Sequence, residues 1–307
     1  MSKIIRIGTR DSELALWQAH TVEKKLNDLG YPTRIISVKS TGDIILDKPL
    51  YELGITGIFT KTLDIAMLKG EIDIAVHSMK DVPTALPKGI VQAAVLERAS
   101  TLDILVHKGD LSFLENSGTI ATGSLRRKAQ WLNRYPNHQV EDLRGNVNTR
   151  MQKLQDNNWD GAVFAAAGLE RINLKPATFM ELDWMIPAPA QGAMMVVAME
   201  NDFFSIGALA DLNHSETEIC TYVERQFLKV LEGGCTAPIG ALAYIKNGSV
   251  TLNGALFSLD GKVKLEIEKT VSVTLYQNFG ELCATEVLES GGYELMLSIK
   301  AALNPKH

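Results

Sequence analysis

Apolar and polar positions follow two rhythms along this chain, and the rhythm switches back and forth. "KIIRIG" (3–8) is a short apolar run closed by a glycine, the pattern of a buried strand. Ala15, Ala19, Val22 and Leu26 then recur at i, i+4, i+7 and i+11, one face of an amphipathic helix, with Asp11 or Ser12 placed to cap it. "TRIISVK" (33–39) predicts the next strand, 59–69 a helix, and "IDIAV" (72–76) and "GIVQAAVL" (89–96) further strands. Strands alternating with helices imply a mostly parallel sheet covered on both faces.

A second block of the same kind begins near residue 97. "DILVH" (103–107) and "GTIAT" (118–122) read as strands; Leu125, Ala129 and Leu132, then Val147, Met151 and Leu154, read as helical stripes. "GAVFAAAG" (161–168) reads as another buried strand, and "IPAPAQGAMM" (186–195), with its prolines and glycine, as a crossing between blocks. The last third changes character. "SETE" (215–218) has the form of a capping box, with Ile219, Val223, Phe227 and Val230 at helical spacing behind it and Gly233 where a helix-ending glycine belongs. "KNGS" (246–249) and "LDGK" (259–262) carry Asn-Gly and Asp-Gly hairpin signals, Val263, Leu265 and Ile267 alternate, and a final helix is expected over about 275–290. The fold class is therefore α/β, two α/β units followed by a small α+β unit, with no internal repeat visible in the sequence.

Composition narrows this little further. A chain of 307 residues suits two or three domains, and a net charge of −5 argues against a nucleic-acid binder. Three cysteines make no disulfide framework, and without CxxC or HExxH no metal site is expected. Arg6, Arg10 and Asp11 interrupt the N-terminal run before a signal-length apolar region develops, and no stretch reaches membrane-span length. A cytoplasmic location without membrane association is the expectation.

Charge is concentrated where anions bind. "GSLRRKAQWL" puts Arg126 and Arg127 in the first turn of a helix, behind Thr122 at a strand end and Ser124 at a cap position, and "LRGNVNTR" adds Arg144 and Arg150 at a second strand-to-helix junction. Helix N-termini and guanidinium groups both attract carboxylates and phosphates. One arginine there reads as a solvated face; four at two junctions read as a site for a ligand with several negative groups. "VHSMKDVP" (76–83) directly follows a strand, and offers His77, Ser78, Lys80 and Asp81 where parallel sheets bind ligands. A turn in which Asp81 bonds its own backbone is the competing reading. "GTRDS" (8–12) follows a strand too, making Arg10 another anion ligand, and lacks the spacing of a dinucleotide site. Cys220 and Cys283 fall on helical apolar stripes and read as core filler. Cys235, in "LEGGCTAPIG" (231–240), lies past a helix end between glycines and a proline, a place with steric room for a bulky group or simply a helix C-cap.

Together these segments resemble the porphobilinogen deaminase family. The matching blocks are "TRDSELALWQ" (9–18), "GDIILD" (42–47), "IDIAVHSMKDVP" (72–83), "GSLRRKAQ" (123–130), "LRGNVNTR" (143–150), "AAGLERI" (166–172), "PAQGA" (189–193) and "LEGGCTAPIG" (231–240), in the family's order. The resemblance implies a three-domain fold: two α/β domains like those of periplasmic binding proteins, flanking a cleft, and a C-terminal domain with the cysteine. Its boundaries would be 1–96 with 193–212, then 97–192, then 213–307. It implies an enzyme that joins four porphobilinogen molecules head to tail, releasing ammonia each time, on a covalent dipyrromethane cofactor, and then hydrolyses off hydroxymethylbilane. It implies Cys235 as the thioether anchor and Asp81 as the acid/base group. Lys80, Thr122, Ser124, Arg126 and Arg127 would hold the cofactor. Arg10, Ser12, Arg144, Arg150 and Arg171 would bind the carboxylates of substrate, and Phe59 would stack on a ring or pack. A monomer is implied.

The chain departs from the family pattern at Thr56, Thr62 and Asp64 in the loop 51–64, and at "ASTLD" (99–103), where Asp-Pro-Arg-Asp is usual. Two other classes fit parts of the pattern. A two-lobed receptor for a small polyanion would use the arginines without Cys235, and a cysteine-dependent redox or acyl-transfer enzyme would use Cys235 without the arginines.

Overall fold

The computed structural model describes residues 3–38, 60–231 and 237–303. Phe59, Cys235, the "GDIILD" block and the expected cap Gly233 lie outside them. Strand β1 (Ile5–Thr9) leads into helix α1 (Glu13–Asp28), whose Ala15, Ala19, Val22 and Leu26 are all buried. Ser12 stands at the N-cap, but its side chain makes no capping hydrogen bond. Strand β2 (Thr33–Ser37), helix α2 (Lys61–Leu68), β3 (Ile74–Ser78) and β4 (Ile90–Val95) follow. β3 starts two residues later than the apolar run, because the Asp73 carboxylate turns back to accept from the Arg6 backbone N–H (2.8 Å) and guanidinium.

The second unit holds β5 (Asp103–His107), β6 (Thr119–Ala121), helix α3 (Leu125–Arg134), β7 (Gln139–Glu141), α4 (Val147–Asp156), β8 (Gly161–Ala165), α5 (Ala166–Arg171) and β9 (Phe179–Glu181). The strand expected over 161–168 stops at Ala165, where the backbone turns directly into α5. The chain then returns to the first unit as β10 (Met194–Met199), followed by α6 (Phe203–Ala210).

The two sheets have the same plan. The first runs β2-β1-β3-β10-β4 and the second β7-β6-β8-β5-β9. In each, the fourth position is antiparallel to both neighbours, and in each it is the first strand entered after crossing from the other unit. Each sheet buries both faces: Ile5, Ile7, Val22 and Leu26 lie on one side of the first, and Leu63, Met67, Ala75 and Met195 on the other. The two crossings, 96–102 and 182–193, run side by side, joined from Ala99 N–H to Gly192 O at 3.2 Å. Gly192 has φ +85°, and a Cβ there would lie 2.6 Å from the carbonyl oxygens of both Ala99 and Ser100, so only glycine allows this approach.

The C-terminal unit packs α7 (Ser215–Val230), α8 (Phe279–Val287) and α9 (Tyr293–Leu303) on an antiparallel meander, β11 (Ile239–Lys246), β12 (Ser249–Phe257) and β13 (Lys264–Ser272). Cys220, Phe227, Leu252, Cys283 and Met296 share its core. Asn247 (φ 50°) and Gly248 (φ 72°) make the two-residue turn expected between β11 and β12. Two expectations are corrected. α7 is capped by His214, whose Nδ1 accepts from Thr217 N–H, and Ser215 is already helical. The single final helix is two, α8 and α9, parted by a kink at Gly291 (φ 101°).

The units meet at a buried carboxylate. Glu224 of α7 is fully buried and takes Arg98 of the first crossing on both oxygens (2.6 and 3.0 Å). It also accepts from Ala190 N–H of the second crossing (2.6 Å) and Ala243 N–H of β11 (2.7 Å).

Candidate active site

β3 ends at Ser78 in a single 3-10 turn, Met79–Asp81, and Pro83 prevents its continuation. β1, its neighbour in the sheet, ends at Thr9, so Arg10 emerges beside this turn. Arg10, Gln18, Thr60, His77, Ser78 and Asp81 line one small cavity. Gln18, buried on α1, donates to Ser78 Oγ at 2.8 Å and fixes one wall. His77 is buried there; burial, and then the charge of Arg10, push its pKa down to about 4, so the ring is neutral near pH 7. Its Nε2 is buried without a hydrogen-bond partner among the described residues.

The facing wall belongs to the second unit. Thr122 follows β6, and its Oγ1 accepts from Ser124 N–H; Ser124 caps α3 by accepting from Arg127 N–H. Arg126 and Arg127 are both buried. Asp103, at the start of β5, is the reason: it pairs with Arg126 Nη1 and Arg127 Nη2, each at 2.7 Å. These two cations hold its carboxyl far below the usual carboxylate range despite complete burial. Gln191 of the second crossing donates to Asp103 at 3.0 Å and accepts from Lys80 Nζ at 3.3 Å, so Lys80 reaches across to the arginine pair. α4, capped by Asn146, presents Arg150, whose Nε donates to Gly145 O at 2.8 Å. Asn148 of α4 donates to Glu13 of α1 at 2.8 Å, bringing the N-termini of these helices together across the cleft.

Among the described residues, cations outnumber carboxylates in this cleft: Arg10, Lys80, Arg126, Arg127, Arg144 and Arg150 stand against Asp81, Asp103 and Asp142. Burial and then the charge of Arg127 push Lys80 down to about 8 and Arg150 down to about 10. Arg126 Nε is buried with no hydrogen-bond partner among the described residues. Surplus positive charge in a low dielectric is relieved by an anion, and several fixed donors suit one with several carboxylates.

A family model described as "Porphobilinogen deaminase, dipyromethane cofactor binding domain" matches residues 5–205, and one described as its C-terminal domain matches 218–289. The chain belongs to the porphobilinogen deaminase family. Porphobilinogen deaminase of Chloroherpeton thalassium is 39% identical over 98% of this chain and 99% of its own, and that of Desulforamulus reducens 40% identical over the same shares. Among solved structures, an ancestral cationic amino acid solute binding protein is similar over 68% of this chain and 87% of its own (14% identity, TM-score 0.43). The Bordetella pertussis BvgS periplasmic VFT2 domain is similar over 67% and 85% (14%, 0.41). Members of the family are transferases of tetrapyrrole biosynthesis that act on porphobilinogen and form hydroxymethylbilane, and the matched region is their dipyrromethane-binding domain.

Of the residues expected to serve porphobilinogen deaminase chemistry, the structure gathers Arg10, Lys80, Asp81, Thr122, Ser124, Arg126, Arg127, Arg144 and Arg150 around one cleft; Ser12 stands at the N-cap of α1 next to Glu13, which Asn148 bonds across it. Arg171 reaches the second crossing beside Gln191. It donates to Gly192 O at 2.7 Å, sits over the Trp17 ring, and lines a separate groove with Lys25, Glu97 and His214. Phe59 and Cys235 are outside the described residues. Sequence reasoning missed Asp103 and Gln191 as parts of the site. Gln191 lies in the "PAQGA" block and Asp103 opens a strand right after a crossing, but neither position shows its partner until the units are packed.

Proposed function

We propose that this enzyme condenses porphobilinogen at the cleft between the α/β units, with Asp81 as the acting carboxylate and Cys235 as the thioether anchor of the dipyrromethane. The observation that supports this most is the surplus of cations around Asp81 among the described residues. Porphobilinogen bears an acetate and a propionate, so each added ring brings two carboxylates to be matched. Lys80, Arg126, Arg127, Thr122 and Ser124 hold the carboxylates of the dipyrromethane, and the orphan Nε of buried Arg126 fits that role. When bound, that group would supply a nucleophilic terminal pyrrole carbon. Arg10, Ser12, Arg144, Arg150 and Arg171 bind and orient the substrate's side chains, and Phe59 stacks on a ring or packs.

Asp81 accepts from pyrrole N–H groups and stabilises the positive charge that develops as ammonia leaves the aminomethyl carbon. His77, held neutral, adds no competing cation beside it. Residues 1–96 with 193–212, 97–192 and 213–307 form the three domains of this reading. We place the enzyme in the cytoplasm as a monomer, as the family resemblance implies. Among the described residues no helix is long and apolar enough to cross a membrane. Replacing Asp81→Ala is expected to lower porphobilinogen turnover by about a hundredfold or more with the circular-dichroism spectrum and Tm retained. Near-normal product formation would remove Asp81 from its role.

A further inference from the structure

One arginine that no motif singled out grips the turn that carries Asp81. Arg225 lies on α7, in the C-terminal unit, next to the Glu224 junction. Its guanidinium donates to three carbonyl oxygens of the other unit: Val82 O at 2.9 Å and Met79 O at 3.4 Å from Nη1, and Pro83 O at 2.6 Å from Nη2. These oxygens lie on either side of Asp81 in sequence. Within the turn itself, one backbone bond, Val82 N–H to Met79 O at 3.2 Å, closes the loop. A single 3-10 turn is a weak element, and Pro83 brings no N–H with which to extend it. The planar fork of Arg225 meets several carbonyls at once, which a lysine ammonium does not reproduce.

We propose that Arg225 is a positioning residue for the reaction: it fixes the Met79–Asp81 turn, and with it the direction of the Asp81 carboxylate and the Lys80 ammonium. Arg225 acts through Asp81, so this rests on the assignment of Asp81 above. Displacing a reacting carboxylate by about 1 Å costs on the order of a hundredfold in rate even when binding is retained. The carboxylates of the substrate are held by arginines on other elements, so loss of Arg225 acts on kcat before KM.

The experiment compares Arg225→Met, Arg225→Lys, Asp81→Glu and the Arg225→Met/Asp81→Glu double variant, each shown by intact mass to carry its prosthetic group. Arg225→Met is expected to lower kcat about tenfold or more with KM within about twofold, and Arg225→Lys to recover part of the loss. Deuterium uptake in the peptide spanning residues 79–84 is expected to rise in Arg225→Met, without and with the prosthetic group. The double variant is expected to be no slower than the slower single variant, because both changes misplace one carboxylate. Wild-type kcat in Arg225→Met, an unchanged exchange pattern, or fully multiplicative rate losses in the double variant would each overturn the proposal. If Arg225→Met fails to fold, the same comparisons are made with Arg225→Lys. Full turnover by Asp81→Ala would overturn the role of Asp81 itself, an outcome read without any Arg225 variant.

Discussion

Lys80 is the residue at which the electrostatics of the cleft reach an accessible pH. Burial and the charge of Arg127 bring its ammonium down to about 8. A carboxylate ligand needs the charged form, so affinity is full below that value and falls as pH rises through it. In a Cys235→Ser variant the dipyrromethane subsite is open to free porphobilinogen, and calorimetric titration is expected to show this loss between about pH 7 and 9, with Lys80→Met flattening the profile and weakening binding at pH 7. A flat profile in the parent would contradict the assignment of Lys80. Burial pushes the thiols of Cys220 and Cys283 up to about 12 and 11, so an alkylating reagent at pH 8 is expected to leave both unmodified in the native protein, as peptide mapping would show. Those two cysteines were legible as core because helical spacing is a local signal. The burial of Arg126 and Arg127 was not, because its cause, Asp103, belongs to another strand.

Among the elements, α7 ties the units together: Glu224 binds both crossings and β11, and Arg225 binds the Asp81 turn. Replacing Glu224→Gln leaves Arg98 without its charge partner in a buried site and is expected to destabilise the chain by about 3–5 kcal/mol, measured by urea unfolding. A change below about 1 kcal/mol would mean that water or a second acceptor takes over Arg98. Element ends show where local reading stops. Asn247-Gly248 announced its hairpin because positive φ at both positions demands those residues. The run "FAAAG" suits strand and helix alike, and only pairing of β8 with β5 decides that the strand stops at Ala165. His214 displaced Ser215 as the cap of α7, its ring nitrogen accepting the bond that a serine hydroxyl was expected to take.

At the scale of the molecule, two sheets of identical order are joined by a pair of adjacent crossings and braced by a third unit. The sequence shows no repeat because sheet order depends on strand position and burial, which many side chains satisfy. The α/β class was legible from alternating periodicity; the return of β10 to the first sheet was expected from family resemblance alone. Gly192→Ala places a methyl group against two carbonyl oxygens at the crossings and is expected to cost about 1–3 kcal/mol, read as a lowered Tm. The central claim is that this chain is a polypyrrole synthase built on its own covalently held dipyrromethane. Its most direct test is the intact mass of the purified protein. The mass is expected to exceed that of the 307-residue polypeptide by one dipyrromethane unit, and Cys235→Ser to bring it back to the polypeptide value. A fully active wild-type protein with the unmodified polypeptide mass would contradict the account.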